Sequence, residues 1–247
     1  MAWIGDVIAP SGLVAQILRC MGILAGYIVP AVLVLLPIRL FTKVPSFVFR
    51  KLLHMVAFTC VSLMIVAADS WQAAALTSVI VAVALYPLLA AIEGMPWYAD
   101  LFVQKKPGEI RKSLLMLFFT FAGVVTLAWG VFGQPHIAAT AILMWGTGDA
   151  QAALVGIPYG RHKVTLPLAD GKKSWEGSLA MLGMALFVGF LMLVTLQGLP
   201  FPSAFALASA GALVGTATEL FTPSEYDTVT VPLAIVVALL ALLPLAG

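Results

Sequence analysis

The sequence predicts an all-α, polytopic membrane protein with about seven or eight transmembrane helices. Of its 247 residues, 62% are hydrophobic and only 10% are charged, whereas roughly 25% of the residues of a soluble domain carry charge. The chain also contains repeated apolar runs of about 20 residues, the length at which a helix crosses a hydrocarbon core of about 30 Å. Helices rather than open strands are expected, because lipid cannot satisfy an unpaired backbone.

Eight spans follow one another along the chain, separated by short polar breaks or by charged connections. Their predicted ranges are 20–38, 52–68, 71–92, 113–132, 136–157, 178–198, 203–220 and 230–246. Residues 3–18 are candidates for an additional short helix at the membrane interface, interrupted at Pro10. The start of the chain lacks the pattern of a secretory signal peptide, so we expect it to be retained. Residues 1–247 are thus predicted to form a single integral membrane domain.

The basic residues are distributed unevenly over the connections between these spans. If the spans alternate in direction, twelve of the thirteen Lys and Arg residues lie on one face, and only Arg19 does not. An excess of basic residues in short connections marks the cytoplasmic side of a membrane protein. We therefore expect a multi-pass protein of the cytoplasmic membrane, with this face in the cytoplasm and both termini outside.

The acidic residues gather on the same face, where nine of eleven lie, all but Asp6 and Asp69. Topology requires only basic residues, so the acids indicate either solvated connections or a chemical site. A transporter would more often place ionisable residues in the middle of its spans, and no span centre carries an obvious acid or base. The sequence therefore favours chemistry at the boundary between water and lipid.

Two further features limit the partners of the chain. The net charge is only +2 and there is no basic tail, so no nucleic-acid partner is expected. Cys20 and Cys60 both lie in apolar runs, which favours buried small hydrophobic residues over a disulfide or a metal pair. The sequence favours neither a monomer nor a homodimer.

The segment from Gly148 to Ser178 holds a dense group of charges. Gly148, Ala152 and Gly156 recur every four residues, which leaves one helix face bare for the close approach of another helix. Asp149 lies in the same helix, where a carboxylate is costly unless it is paired or binds a metal. Basic side chains beside Gly-rich turns suit a polyphosphate, and one or two carboxylates suffice for Mg²⁺ when phosphates supply other ligands. The segment predicts a site for a nucleotide or phosphorylated group, without a P-loop or protein-kinase signature.

Several motifs together resemble the shared core of the CTP-dependent lipid kinases, which include dolichol kinase, phytol kinase and the CTP-using diacylglycerol kinases. The motifs are GDAQAALVG, YGRHK and KKSWEGS within residues 148–178, RKLLH at 50–54, KKPGEIRKS at 105–113 and TELFTPSEYDTVTVPLA at 218–234. The resemblance covers about residues 50–234 and is most specific in the combination of Gly-Asp with Lys-Ser-x-Glu-Gly. A more distant similarity is to phosphatidate cytidylyltransferase, whose C-terminal signature this chain lacks, and that absence favours a kinase.

The resemblance implies transfer of the terminal phosphate of CTP to the hydroxyl of a membrane lipid. The implied acceptor is a polyprenol, a phytol-type isoprenoid alcohol or diacylglycerol, held in the lipid bilayer. The implied donor is CTP, and the implied cofactor is Mg²⁺ or another divalent cation. One alternative is a phosphatidate cytidylyltransferase that makes CDP-diacylglycerol, and another is a transporter or a non-catalytic membrane protein.

The same resemblance assigns the site residues. The predicted catalytic and metal-binding residues are Asp149, Glu176 and Asp227. The predicted nucleotide- and phosphate-binding residues are Gly148, Arg161, Lys163, Lys173, Ser174, Gly177, Arg50, Lys51 and His54. Candidates of a second tier are Glu219, Glu109 and Arg111. Arg50 and His54 are four positions apart and can face one site from a helix, whereas His162 is interpreted as a solvated histidine.

Overall fold

The computed structural model describes residues 10–95, 98, 108–165, 171, 173–223 and 226–246. Its helices in chain order are α1 (Pro10–Phe41), α2 (Ser46–Ala67), α3 (Trp71–Ile92), α4 (Glu109–Val125), α5 (Pro135–Tyr159), α6 (Trp175–Thr195), α7 (Phe201–Phe221) and α8 (Asp227–Leu242). A π-helical turn, Thr126–Val131, extends α4, and a 3-10 turn, Leu243–Leu245, extends α8. The predicted all-α class is confirmed.

Each of the eight predicted spans overlaps one of these helices, and seven of the described helices are long and apolar enough to cross a membrane. Helix α1 begins earlier than predicted, because residues 10–18 continue directly into it. Those residues therefore do not form a separate interfacial helix, and residues 3–9 lie outside the described part of the chain. Pro10 is the first described residue of α1, and the helix continues through Ser11 and Gly12 without a break.

Helix α5 is the exception among the eight described helices, since it is not one of the seven apolar candidates. It is the central helix, packed against α6, α2 and α8, and most of its residues from Ile137 to Gly148 are buried. The hydroxyls of Thr140 and Thr147 donate to carbonyl oxygens one turn earlier, at 2.7 and 2.6 Å. A helix surrounded by protein can carry small and polar residues, because they meet other helices and not hydrocarbon.

The bare glycine face of α5 packs against α6, as its four-residue spacing predicts. A Cβ on Gly148 would approach Met181 to 3.1 Å, and a Cβ on Gly177 would come within 2.8 Å of the Ala152 carbonyl oxygen. Ser174 ends this contact: it caps α6, and its hydroxyl accepts from the Gly177 N–H at 3.2 Å. Glycine is therefore required on both helices for their close approach.

Contacts between connections define two ends of the bundle. At one end Lys173, ahead of α6, bonds to Thr222 at the end of α7 at 2.8 Å. At the other end the connections α4–α5 and α6–α7 meet through Gln134 and Gln197, 3.1 Å apart. We call the first the charged end and the second the opposite end. Helices α2, α4, α6 and α8 begin at the charged end, which agrees with spans that alternate in direction.

Candidate functional site

Asp149 lies at the centre of the charged side chains that α2 and α5 bring together. Lys51 Nζ donates to Asp149 Oδ2 at 2.6 Å, and His54 Nε2 lies 3.4 Å from the same oxygen. The side chains of Lys51 and Asp149 are only 12% and 28% exposed. Because charges are costly to bury without a partner, each of these two groups allows the other to lie inside the bundle.

The local sequence of α2 explains why these two side chains reach Asp149. Lys51 and His54 are three positions apart and so share one face of the helix, the face that packs on α5. The imidazole of His54 also packs against Phe58, with ring centroids 4.5 Å apart, and Phe58 packs edge-on against Trp145 of α5. Arg50 is exposed and contributes only its charge to Asp149. The predicted pair of Arg50 and His54 is thus replaced by Lys51 and His54.

Lys173 joins the segment before α6 to the last turn of α7. Its Nζ lies 3.1 Å from Glu219 Oε1 and donates to the carbonyl oxygens of Glu219 and Thr222. Both Lys173 and Glu219 are largely buried, with side chains 8% and 13% exposed. The last carbonyls of a helix lack partners within it and favour a cation, so Lys173 stabilises the end of α7 at this site.

Asp227 connects these two ion pairs. It is the first residue of α8, and its carboxyl interacts electrostatically with Asp149, Lys173, Glu219 and Lys51. Residues from four helices and one connection therefore meet at one place. We call this set the central charge group, and its members are Lys51, His54, Asp149, Lys173, Glu219 and Asp227.

The carboxylates of the central charge group fit one mode of Mg²⁺ binding. No group of three or more His, Cys, Asp or Glu side chains is placed to hold a metal within the residues that the structure describes. Mg²⁺ in nucleotide-dependent sites, however, is usually held by one or two carboxylates together with substrate phosphates and water. Asp149 and Asp227 are the carboxylates that would hold Mg²⁺ in this way, and Mg²⁺ stays a prediction.

Glu176 makes different contacts from the other two predicted metal ligands. Its carboxylate oxygens accept from the His162 N–H at 3.2 and 3.3 Å, and Oε1 lies 2.6 Å from His162 Nδ1. Next to it, two short pieces of chain pair antiparallel: the Val164 N–H donates to Lys173 O, and the Trp175 N–H to His162 O, both at 3.0 Å. We call residues 161–165 and 173–175 the paired segment.

The other predicted phosphate-binding residues occupy two kinds of position. Arg161 and Lys163 are exposed on the paired segment. Gly148, Gly177 and Ser174 are buried in the contact between α5 and α6. The two glycines support helix packing there and the serine caps α6, so their assignment to nucleotide binding stays a prediction.

A further ion pair at the charged end joins α3 to α4. Arg111 Nε lies 3.0 Å from Glu93 Oε2, and the other oxygen of Glu93 accepts from the Gly108 N–H. The Arg111 guanidinium also lies over the Tyr86 ring, 5.4 Å from its centroid. Burial raises the pKa of the nearby Tyr98 phenol above its usual value, and the Glu93 carboxylate acts in the same direction. This group joins the end of α3 to the start of α4 and lies outside the central charge group.

Glu93 was not among the residues predicted from the sequence. Glu219 was predicted only as a second-tier candidate, and the contact of His162 with Glu176 was not predicted. The available signal for Glu93 was an acid directly at the end of an apolar run, followed by a connection that contains a basic residue. Glu109, by contrast, is the first residue of α4, where an acid is favourable near the helix N-terminus. This favourable interaction with the start of α4 accounts for the position of Glu109.

Comparison with known proteins gives one curated relative. The chain is 34% identical over 129 residues to phytol kinase from Synechocystis sp., and the alignment covers 50% of this chain and 52% of that protein. The chain thus spans about half the length of this relative. No protein-family profile matches the chain, and no solved structure matches it. The chain is therefore distantly similar to phytol kinase, which confirms the resemblance found in its motifs.

Proposed function

We propose that this protein is a kinase that transfers the terminal phosphate of CTP to the hydroxyl of a membrane-embedded isoprenoid alcohol. The observation that carries the proposal is the central charge group, which places carboxylates and cations from separate parts of the chain at one end of a membrane bundle. The similarity to phytol kinase over half the chain supports an isoprenoid alcohol as the acceptor. An alcohol held in lipid and a nucleotide dissolved in water can meet at such an end.

The cations of the site are suited to binding and aligning the phosphate chain. Phosphoryl transfer depends mainly on in-line positioning and on neutralising charge at the phosphate oxygens. Lys51 and Lys173 supply buried positive charge at the central charge group, and Arg50 adds an exposed charge that acts on Asp149. Arg161 and Lys163 are exposed on the paired segment, which also contains Lys173. When phosphate oxygens approach, Lys51 exchanges part of its contact with Asp149 for contact with the nucleotide.

That exchange prepares Asp149 for the acceptor. Once Lys51 is engaged by phosphate, the Asp149 carboxylate is available to accept a hydrogen bond from the lipid hydroxyl. The hydroxyl oxygen then forms a bond to the terminal phosphorus, the bond from that phosphorus to the bridging oxygen breaks, and CDP leaves. The hydroxyl proton passes to the Asp149 carboxylate and from there to solvent. Mg²⁺, held through Asp149 and Asp227, would neutralise phosphate charge when bound.

The decisive test uses CTP labelled at its terminal phosphate, with purified protein in lipid nanodiscs. Phytol, a polyprenol and diacylglycerol are supplied in turn, and products are separated by solubility in organic solvent. Label on the lipid, with phytol the best acceptor, is the expected result. Label in pyrophosphate would instead identify a cytidylyltransferase, and label left entirely in CTP would support a transporter or a non-catalytic protein.

The proposal requires the charged end to face the cytoplasm, as the distribution of basic residues predicts. A cysteine replacing Lys112 or Lys163, both exposed at that end, should react with an impermeant thiol reagent only from the cytoplasmic side. A cysteine replacing Gln134 should react only from outside. The natural cysteines, Cys20 and Cys60, are buried and give a low background. Labelling of the Lys112 and Lys163 positions from opposite sides would contradict the orientation.

A further inference from the structure

Glu176 makes different contacts from the carboxylates with which it was grouped by sequence. Asp149 is paired with Lys51 at 2.6 Å, and Asp227 belongs to the central charge group through its electrostatic interactions. The Glu176 carboxylate instead contacts the ring and the backbone of His162.

These contacts join the start of helix α6 to the short, extended paired segment. Glu176 is the second residue of α6, and Ser174 caps that helix with its hydroxyl, so the start of α6 is well defined. A carboxylate in the first turn is also favoured by the helix dipole. His162 lies on the paired segment, whose two pieces are joined, within the part of the chain that the structure describes, by backbone hydrogen bonds from Val164 and Trp175. Glu176 therefore holds the paired segment against the start of α6.

The paired segment carries cations that the proposed function needs. Arg161 and Lys163 flank His162 directly, and Lys173 lies on the facing piece of chain, where its ammonium reaches Glu219. The Glu176 carboxylate also contacts the Arg161 backbone. Any loss of the contact between Glu176 and His162 would release one side of this segment and displace its cations relative to Asp149.

We propose that Glu176 and His162 form a clasp that fixes the paired segment, so that Glu176 is a positioning residue for the phosphate-binding cations and does not bind Mg²⁺. The clasp is a property of the fold, and its consequence for nucleotide affinity rests on the proposed kinase function. A carboxylate has about four lone-pair sites. Here both oxygens accept from the His162 N–H and one also contacts the ring nitrogen, which directs the carboxylate toward the segment.

The test compares Glu176→Ala, Glu176→Gln, His162→Ala and the double variant Glu176→Ala/His162→Ala in nanodiscs. Hydrogen exchange of the amides of residues 162–164 reports the clasp without any need for activity. We expect exchange to increase in Glu176→Ala and His162→Ala, and to increase less in Glu176→Gln, because glutamine retains one acceptor oxygen. The double variant should match the more affected single variant, since residues that act through one contact are not additive.

Kinetics then separate positioning from metal binding. KM for CTP should rise about tenfold in Glu176→Ala and His162→Ala, the scale of one lost charge-assisted hydrogen bond, while kcat stays within about twofold. The Mg²⁺ concentration for half-maximal rate should not change in either variant. Asp69→Asn, which breaks an ion pair at the opposite end, is the matched control and should change none of these quantities.

Two results would overturn the clasp. One is unchanged hydrogen exchange in both Glu176→Ala and His162→Ala. The other is an increased Mg²⁺ requirement in Glu176→Gln with no effect of His162→Ala, which would make Glu176 a metal ligand. If the protein phosphorylates no alcohol at all, the exchange experiment still decides the clasp, so its failure is distinguishable from failure of the proposed function.

Discussion

At the opposite end of the bundle, Arg19 and Asp69 form an ion pair 2.8 Å long whose side chains are 56% and 49% exposed. At the charged end, Lys51 and Asp149 form a pair of nearly the same length, 2.6 Å, with side chains only 12% and 28% exposed. The two pairs differ mainly in their surroundings. The first pair lies open at the surface of the bundle, and neighbouring helices enclose the second.

This difference separates two physical roles for charge. An exposed ion pair is worth about 0–1 kcal/mol, so Arg19 and Asp69 add little to the stability of the fold. A buried pair loses the hydration of both ions and is weak as a source of stability. Stability therefore does not explain why Lys51, Asp149 and Asp227 lie together inside the bundle. We propose that they lie together because they bind and transfer phosphate.

The largest effect is expected from Asp149→Asn, which tests whether the buried pair performs chemistry. The amide keeps the shape of the side chain and removes its negative charge and basicity. We expect kcat to fall by about 100-fold or more, the scale of a lost proton acceptor, while CTP binding is largely retained. Turnover by Asp149→Asn within a few-fold of the parent would show that the chemistry is assigned to the wrong residue.

A smaller loss is expected from Asp227→Asn, which tests whether α8 belongs to the same site. Asp227 follows the capping position of α8, which Tyr226 occupies, and the amide keeps the shape of the side chain, so folding and membrane yield should be preserved. Activity should fall at least about tenfold and recover partly at high Mg²⁺, because the amide is the weaker ligand for this cation. Normal activity in this variant would limit Asp227 to stabilising the start of α8.

Lys173→Ala should act mainly on nucleotide affinity. It removes one of several cations near the phosphates, so we expect KM for CTP to rise by about tenfold with a much smaller change in kcat. The variant also loses the contacts of Lys173 with Glu219 and the Thr222 carbonyl. Thermal unfolding in detergent should therefore occur at a lower temperature. A reduced kcat with unchanged KM would contradict a role in binding.

The smallest effect is expected from Asp69→Asn at the opposite end. The free energy of unfolding should change by less than about 1 kcal/mol, as for other exposed pairs, and both kcat and KM for CTP should stay at parent values. Addition of salt should leave the difference from the parent small, because the pair is already screened. A large loss of activity in this variant would remove the distinction between the two ends of the bundle.

Much of the architecture was predictable because each residue of a membrane-spanning helix must itself be compatible with lipid or with the neighbouring helices. The apolar runs located the eight helices of the described residues. The four-residue spacing from Gly148 to Gly156 predicted the close approach of another helix, which the structure shows to be α6. The extent of α1 was predicted poorly. A helix can begin several residues before the apolar run that it contains, and the run itself does not mark that start. The central place of α5 was also not evident, although its small and polar residues are typical of a helix enclosed by others.

The site was predicted less completely, because sequence spacing orders side chains within a helix but not between helices. The sequence grouped Asp149, Lys173 and Asp227 in one predicted site, and in the structure the Asp227 carboxyl interacts electrostatically with the other two side chains. The rotation of α2 decides that Lys51 rather than Arg50 pairs with Asp149, and no local pattern distinguishes these adjacent cations. The contact of Glu176 with His162 depends in turn on how the paired segment folds back on α6.

Composition and charge distribution alone established a helical membrane protein with its charges at one end, because burial in lipid excludes nearly every other arrangement of so apolar a chain. The tertiary structure decided which of those charges meet. Residues 51, 149, 173, 219 and 227 are far apart in the chain, and packing of α2, α5, α7 and α8 brings them together. The reason is physical: a charge in the interior is stable only beside its partners, and those partners are set by the relative positions of whole helices.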